Sequence, residues 1–600
     1  MASFYDSASI ITIPSGYKVG TLYSAKPTDG SGDMTFTRTG DTATRVNSTG
    51  LVERCITNLA IQSNGFDTAS WTKTNTTIGT GIADPNGGTT AFSMAGTSST
   101  SNIKNISQTI FTSGSDAKTF SIYAKANTHS FIQIRMASTG NVFANFDLTN
   151  GTFSAGISAN VTMTSIGGGW YRCIVASVTT NTLGVVMLVD SLAAVINEAS
   201  TTTNSVYIWR AQAQFGDQAT NYIPTTTAAV TEGPVTNLPR LDYLGSTCPQ
   251  LLMEPTRTNL MVYSQMLDNS AWSKDGVSVS GNVAVSPDGY TNADLIIEDT
   301  SLSAHRNSRT VSWVSGTTYA VSCFVKQGTG NRRFGILLGS TVFGTNLFIN
   351  FNIETGLVTT NSGNITGKIE NYGNGWFRCI AFATALVTGS ISASFYLRQT
   401  DAAITTTYTG DGTSSLYMWG AQVEAGAYAT SYIPTTAATV TRNNDACSKT
   451  SITSLIGQTE GTLFFQGAIQ GVNTSVNRRI FTISDGTTSN AISIQNPSTN
   501  QRIEFEVTTS GFTQALISAA NNSLVYGQTF KAAIAYKEND FVAYINGVQI
   551  GTDTIGSVPA CSKVSFDRGN STSLFEGATN QALVFKTRLS NAELATLTTL

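Results

Sequence analysis

Two glutamates one residue apart, in Glu504-Phe505-Glu506, are the arrangement in this chain closest to bond-breaking chemistry. Alternate residues of a strand project to one face, and a carboxyl pair on one face is what acid/base or nucleophilic attack on a glycosidic bond requires. Arg502 and Thr508 share that face, and Thr509 stands where a further acid would extend the set. The segment therefore reads as an ordinary solvated strand. His129 and His305 are the only histidines, too few for a Ser/His/Asp grouping. The seven cysteines (Cys55, Cys173, Cys248, Cys323, Cys379, Cys447, Cys561) are odd in number, form no C-x-x-C pair and lie close in sequence to neither histidine. Zinc sites and disulfide frameworks are both poor readings. Cys173 and Cys379 sit in apolar strand patterns and are expected to be buried free thiols, which points to folding in a reducing cytoplasm. Asp147 and Asn352 precede turns, where capping is favoured over calcium ligation. No cofactor is expected, structural calcium being the one metal left open. Gly167-Gly168-Gly169 leads into a strand, so it is a tight turn and not a phosphate loop.

Tryptophan supplies the other candidate chemistry. Of seven, six fall in pairs, Trp71 with Trp272, Trp170 with Trp376 and Trp209 with Trp419, offset by 201, 206 and 210 residues. Residues kept in both copies while loop lengths drift are expected to be core. Trp313 is the exception, aligning near Thr112. With His305, Arg306 and Arg309 nearby in sequence, it is the candidate ligand or partner contact, because sugar recognition uses an aromatic face with polar neighbours. The competing reading is a tryptophan at a sandwich edge or subunit interface.

These residues need a scaffold, and the chain states it twice. Ser121-Ile122-Tyr123-Ala124-Lys125 matches Ser322-Cys323-Phe324-Val325-Lys326, and Gly169-Trp170-Tyr171-Arg172-Cys173-Ile174 matches Gly375-Trp376-Phe377-Arg378-Cys379-Ile380. Tyr207-Ile208-Trp209-Arg210-Ala211-Gln212 matches Tyr417-Met418-Trp419-Gly420-Ala421-Gln422, and Tyr-Ile-Pro-Thr-Thr follows at 222 and 432. Apolar residues recur near period two, with turns such as Asn150-Gly151 and Asn546-Gly547 between them. Charged residues make up only 12% of the chain, and Thr, Ser, Asn and Gly fill the difference. Many short strands are the expected result. One helix is predicted, at Ser590-Asn591-Ala592-Glu593-Leu594-Ala595, from its capping-box spacing.

Net charge of −3 argues against nucleic acid as a partner. No apolar run of about 18 residues predicts membrane insertion, and Met1-Ala2-Ser3-Phe4-Tyr5-Asp6 has no export-signal pattern.

The expected organisation is an extended N-terminal arm (1–57), a first β-sandwich module (58–234), a connector (235–258), a second module (259–441) and a different β domain (442–600). Arg240-Leu241-Asp242 through Leu252-Met253-Glu254 echoes Arg45-Val46-Asn47 through Leu51-Val52-Glu53, so the connector belongs to the repeat. The fold class is all-β: tandem jelly-roll-type sandwiches followed by a further sandwich.

Asn-Leu at 58 and 259, the Gly-Trp-aromatic-Arg-Cys segments, the connector Arg240-Leu-Asp-Tyr and the ending that runs from Trp419 to Thr436 resemble a module widespread in bacteriophage tail-fibre and virion appendage proteins. Glu460-Gly461-Thr462-Leu463-Phe464 and Phe541-Val542-Ala543-Tyr544-Ile545-Asn546-Gly547 resemble a concanavalin/laminin-G-like domain. The resemblance implies carbohydrate-binding-module-like sandwiches in a virion, made in the host cytoplasm. Its implied partners are other virion proteins, two further copies in a homotrimer, and host-surface carbohydrate bound without covalent chemistry. The arm would attach to the particle. Glu504 and Glu506 faintly echo the Glu-x-Asp-x-x-Glu strand of jelly-roll glycosidases, with the middle Asp and last acid replaced. No enzyme is expected. The alternatives are a purely structural head fibre or capsid decoration, a polysaccharide depolymerase and, against the missing export pattern, a secreted adhesin.

Overall fold

The computed structural model of the chain describes residues 4–114, 116–138, 142–156, 159–402, 407–471 and 477–600. Each module is two antiparallel six-stranded sheets packed face to face. The first sheet of module 1 runs in spatial order Asn160–Gly167, Trp170–Thr179, Asp116–Ala126, Ser205–Phe215, Ala91–Gly96 and Thr76–Ile82. Its partner sheet runs Thr152–Ala155, Val142–Asp147, Phe131–Ala137, Leu183–Leu188, Asn105–Thr109 and Thr72–Thr74. Module 2 repeats both orders strand for strand, from Ile365–Asn371 to Val277–Val285 and from Leu357–Ser362 to Ser273–Asp275. Period-two alternation is the cause. Phe120, Ile122 and Ala124 point into one core, and Val321, Cys323 and Val325 into the other. Even a register irregularity is shared. A bulge between Ile122 and Tyr123 lies opposite Arg210, and one between Ser322 and Phe324 lies opposite Gly420.

The third sandwich corrects the expected arm. One of its sheets is ordered Leu241–Asp242, Gln250–Met253, Gly577–Phe585, Glu460–Ile469, Phe530–Lys537, Asp540–Ile545 and Val548–Asp553. Ile10–Thr12 also pairs with Gly577–Phe585, bringing Ile10 opposite Val584. In the other sheet, Met34–Thr37 pairs with Ala446–Lys449. Residues of the supposed arm are thus integral strands, and Ile10, Leu22, Met34 and Phe36 share one core with Leu241, Leu251, Phe465 and Phe566. Apolar alternation marks such segments as strands, but it carries no information about partners more than 400 residues away. Both modules are therefore insertions into a sandwich whose own strands come from three stretches of chain. The predicted helix forms over Asn591–Thr598, with Ser590 and Glu593 making the reciprocal capping bonds. Among the described residues no helix is long and apolar enough to cross a membrane.

The three stretches are tied together by buried charge. Arg38 reaches Asp445 at 3.2 Å, Arg240 reaches Glu254 at 2.6 Å and also Asp445, and Arg442 reaches Glu254 at 2.9 Å. Every member is buried. Ser431 of module 2 donates to Glu254 from both its amide and its hydroxyl, at 2.7 Å each. The sequence echo now has a structural meaning. Arg45 and Glu53 pair at 2.6 Å across the hairpin Thr44–Val46/Val52–Arg54, as Arg240 and Glu254 do across Leu241–Asp242/Gln250–Met253.

Candidate functional site

At and just before the strand Arg306–Trp313, Trp313 and His305 point inward, while Arg306 and Arg309 stay half-buried. Trp313 is 1% exposed, with its ring edge-on to Tyr319 at 4.9 Å and to Phe343 at 5.1 Å and its indole N–H donating to the Ile391 carbonyl at 3.0 Å. His305 is fully buried, its ring nitrogens facing the Gly276 and Tyr408 carbonyls at 2.6 and 3.0 Å. Arg309 donates to the Ala271 carbonyl, and Arg306 to Asp275 at 2.6 Å. This corrects the expectation of a contact surface, because the indole that was to stack on a ligand has both faces in the core. The physical reason is local. The short helix Ser340–Phe343 supplies Phe343, and Trp313 packs against it. The six paired tryptophans are all buried, as expected of core.

Glu504 bonds to Arg502, and Glu506 pairs with Arg479 at 2.6 Å. The cavity beside Glu506 measures about 10 Å³, at the lower limit for a single water. Asp147 and Asn352 cap turns, accepting from the amides of Thr149 and Asn150 and of Glu354 and Thr355 at 2.9–3.1 Å. Among the described residues no three His, Cys, Asp or Glu side chains stand close enough to share a metal ion. Cys173 and Cys379 are buried and free, and burial pushes both thiols up.

Two clefts occupy equivalent places, each where a module, its own hairpin and the next sandwich meet. The first, about 240 Å³, is lined by Glu53, Thr220, Asn221, Glu232, Asp288 and Tyr290. The second, about 350 Å³, is lined by the corresponding Glu254, Thr430 and Ser431, with Lys368, Glu370, Tyr372, Gln250, Gln470 and Thr529 around its wall. That volume lies at the small end of ligand sites. Lys368 and Glu370 pair at 2.8 Å on one face of the strand Ile365–Asn371, and Tyr372 follows directly after it. Burial, aided by Glu370, pushes the Tyr372 phenol up, which keeps it a neutral hydrogen-bond donor. Arg378 donates to the Thr430 carbonyl at 2.7 Å, and Asp242 accepts amides from Val46 and Leu244 at 2.8 and 2.9 Å. The floor is therefore rigid and its charges are spent internally, while amide, hydroxyl and ammonium groups remain at the wall. Such a lining suits a polyhydroxylated ligand. A signal for it exists in the sequence: Lys368, Glu370 and Tyr372 replace Thr162, Thr164 and Ile166 of the first copy, which only a register-level comparison of the copies reveals.

No protein-family model matches the chain, and no curated protein matches it in sequence. Among solved structures, it is similar to the Ruminococcus gnavus IT-sialidase CBM40 bound to alpha2,3 sialyllactose, at 14% identity over 25% of this chain and 91% of that one, with a TM-score of 0.22. It is also similar to the CBM22-1-CBM22-2 tandem domain from Paenibacillus barcinonensis Xyn10C, at 11% identity over 60% of this chain and 94% of that one, with a TM-score of 0.17. The binding domain of Botulinum neurotoxin DC in complex with rat synaptotagmin II matches at 15% identity over 26% of this chain and 40% of that one, with a TM-score of 0.21. At such identities and TM-scores nothing about this chain's fold or ligand follows from these neighbours.

Proposed function

We propose that the protein is a structural and recognition component of a bacteriophage particle, a tail fibre or similar appendage, whose sandwiches hold host-surface glycan without covalent chemistry. The observation that carries the recognition part is the 350 Å³ cleft, with its polar wall and locked floor, between module 2 and the third sandwich. The particle assignment rests on the sequence resemblance of both modules and the connector. Association into a homotrimer, with other virion proteins as neighbours, is part of the proposal. Exposed apolar side chains on the third sandwich, Phe512 at 74%, Leu516 at 53% and Ile555 at 77%, support it. A single cleft of this size binds weakly, and three copies on one particle raise the effective concentration.

The test is adsorption of the purified protein to host cells and to a glycan array, beside the double variant Lys368→Ala/Glu370→Ala. Loss of adsorption with unchanged thermal unfolding is expected. Equal adsorption of both proteins would remove the cleft from the proposal, and no glycan binding by either would leave a purely structural decoration protein.

A further inference from the structure

The two modules treat the same aromatic face in opposite ways. In module 2, Phe324, Trp376, Trp419 and Tyr432 are sealed by Val46 and Val52 of the first hairpin, which is held there by Val52 N–H to Pro287 O at 2.9 Å and Thr44 Oγ1 to Tyr432 O at 2.5 Å. In module 1 the corresponding Trp170 and Trp209 are also buried, but Tyr123 and Tyr222 stay half-buried, and among the described residues no hairpin valine joins their cluster. Instead Arg210, in the bulge position held by Gly420 in the second copy, lays its guanidinium over Trp209 at 3.7 Å and over Tyr222 at 4.8 Å. Its φ is +48°, a conformation that costs an L side chain and that Gly420, at +64°, adopts freely. A non-glycine residue kept there needs a reason. Arg210 is half-buried, with Tyr207 and Tyr123 half-buried beside it and Arg172 stacked on Tyr123 at 5.3 Å. Among the described residues, no carboxylate lies within ion-pair distance of Arg210 or Arg172.

We propose that this face of module 1 binds a carboxylated sugar, its ring against the tyrosines and its carboxylate on the outer edge of the Arg210 guanidinium. The proposal rests on the glycan-recognition reading and adds to it a second site with a different ligand class. Charge complementarity selects the occupant, since the half-buried Arg210 guanidinium lies among aromatic walls with no acid beside it, and Arg172, stacked on Tyr123 and bonded to Ser121, adds positive charge behind it. A hairpin from a second copy does not fit the same reasoning, because the first hairpin is already seated on module 2 and the second is paired with Gly577–Phe585.

The experiment is calorimetry on the full chain with an oligosaccharide containing glucuronic acid and with its neutral counterpart, in which glucose replaces that residue. The proteins are wild type, Arg210→Gly, Arg210→Lys and the cleft variant Lys368→Ala/Glu370→Ala. Arg210→Gly suits the local backbone, so it removes the guanidinium without endangering the fold. Expected are tighter binding of the acidic sugar by wild type, a loss of about tenfold or more in Arg210→Gly, an intermediate loss in Arg210→Lys, and no change in the cleft variant. Unchanged acidic-sugar affinity in Arg210→Gly, or equal affinity for both sugars, would overturn the site. If the cleft variant alone then loses binding, glycan recognition stands without this face. If no protein binds either sugar, both readings fall.

Discussion

Arg240 and Asp445 form an ion pair with neither side chain exposed, although 205 residues and an entire module separate them. Arg240 simultaneously holds Glu254, and Asp445 simultaneously holds Arg38, so one pair joins the first, middle and last stretches of the third sandwich. Glu424, itself paired with Arg257 at 3.8 Å, adds negative charge near Arg442.

Removing one partner strands the rest. Asp445→Ala leaves Arg38 and Arg240 buried beside an empty place, and the expected cost is about 3–5 kcal/mol. Urea unfolding of the variant checks this, and a loss below about 1 kcal/mol would show that water or relaxation compensates.

The acid limb of the stability curve follows from Glu254. Burial raises its carboxyl, but Arg442 and Arg240 outweigh that and hold it down at about 2 against an ordinary 4.5. Its contribution is therefore complete above 4.5 and lost as pH falls towards 2. Asp294 behaves oppositely, because burial, with Asp268 nearby, pushes it from 3.8 up to about 8. The folded state then keeps a proton that the unfolded chain has released, so stability declines as pH climbs from 3.8 to about 8. Thermal melts across pH should show that decline in the wild type and a flatter profile in Asp294→Asn.

Trp313→Ala should cost about 3–5 kcal/mol, the range for emptying a large aromatic site in a core. Adsorption per folded molecule should be unchanged. Calorimetric unfolding and cell adsorption measured on the same preparation separate the two roles, and lost adsorption in a stable variant would restore Trp313 as a contact.

Phe512→Asp with Leu516→Asp places charge in the exposed apolar set of the third sandwich. If three copies associate there, mass photometry of the wild type gives a trimer and the variant gives a monomer of 63.4 kDa. A wild type that is itself monomeric at micromolar concentration refutes the trimer.

A fragment spanning 442–600 lacks Ile10–Thr12 and Gln250–Met253, which pair with Gly577–Phe585, and Met34–Thr37, which pairs with Ala446–Lys449, so it should be insoluble or unfolded on its own. Fragments 56–232 and 257–442 each retain both sheets of a module and should fold. Circular dichroism and size exclusion of the three pieces test this, and a well-folded 442–600 fragment would contradict it.

The doubled sandwich was legible because core positions tolerate little change, so the paired tryptophans and inward-facing Ile122 and Cys323 persisted while loops drifted. The fate of Ile10 was not legible, since alternation identifies a strand but not its neighbour across hundreds of residues. Trp313 misled for a related reason. Its partner Phe343 lies in a module-specific insertion, and an unpaired tryptophan in sequence resembles a displayed one. The second cleft was half-visible, in Lys368, Glu370 and Tyr372, yet its floor comes from a connector whose docking place no local pattern reports.

Because Ile10 and Val584 are hydrogen-bonded neighbours, tension applied between those two positions crosses a single ladder and bypasses everything from 58 to 441. The twin modules hang outside the line of load as side appendages. A pull of that kind would peel the outer strand from its sheet long before either module stretched, so both modules would keep their shape while the body beneath them yields.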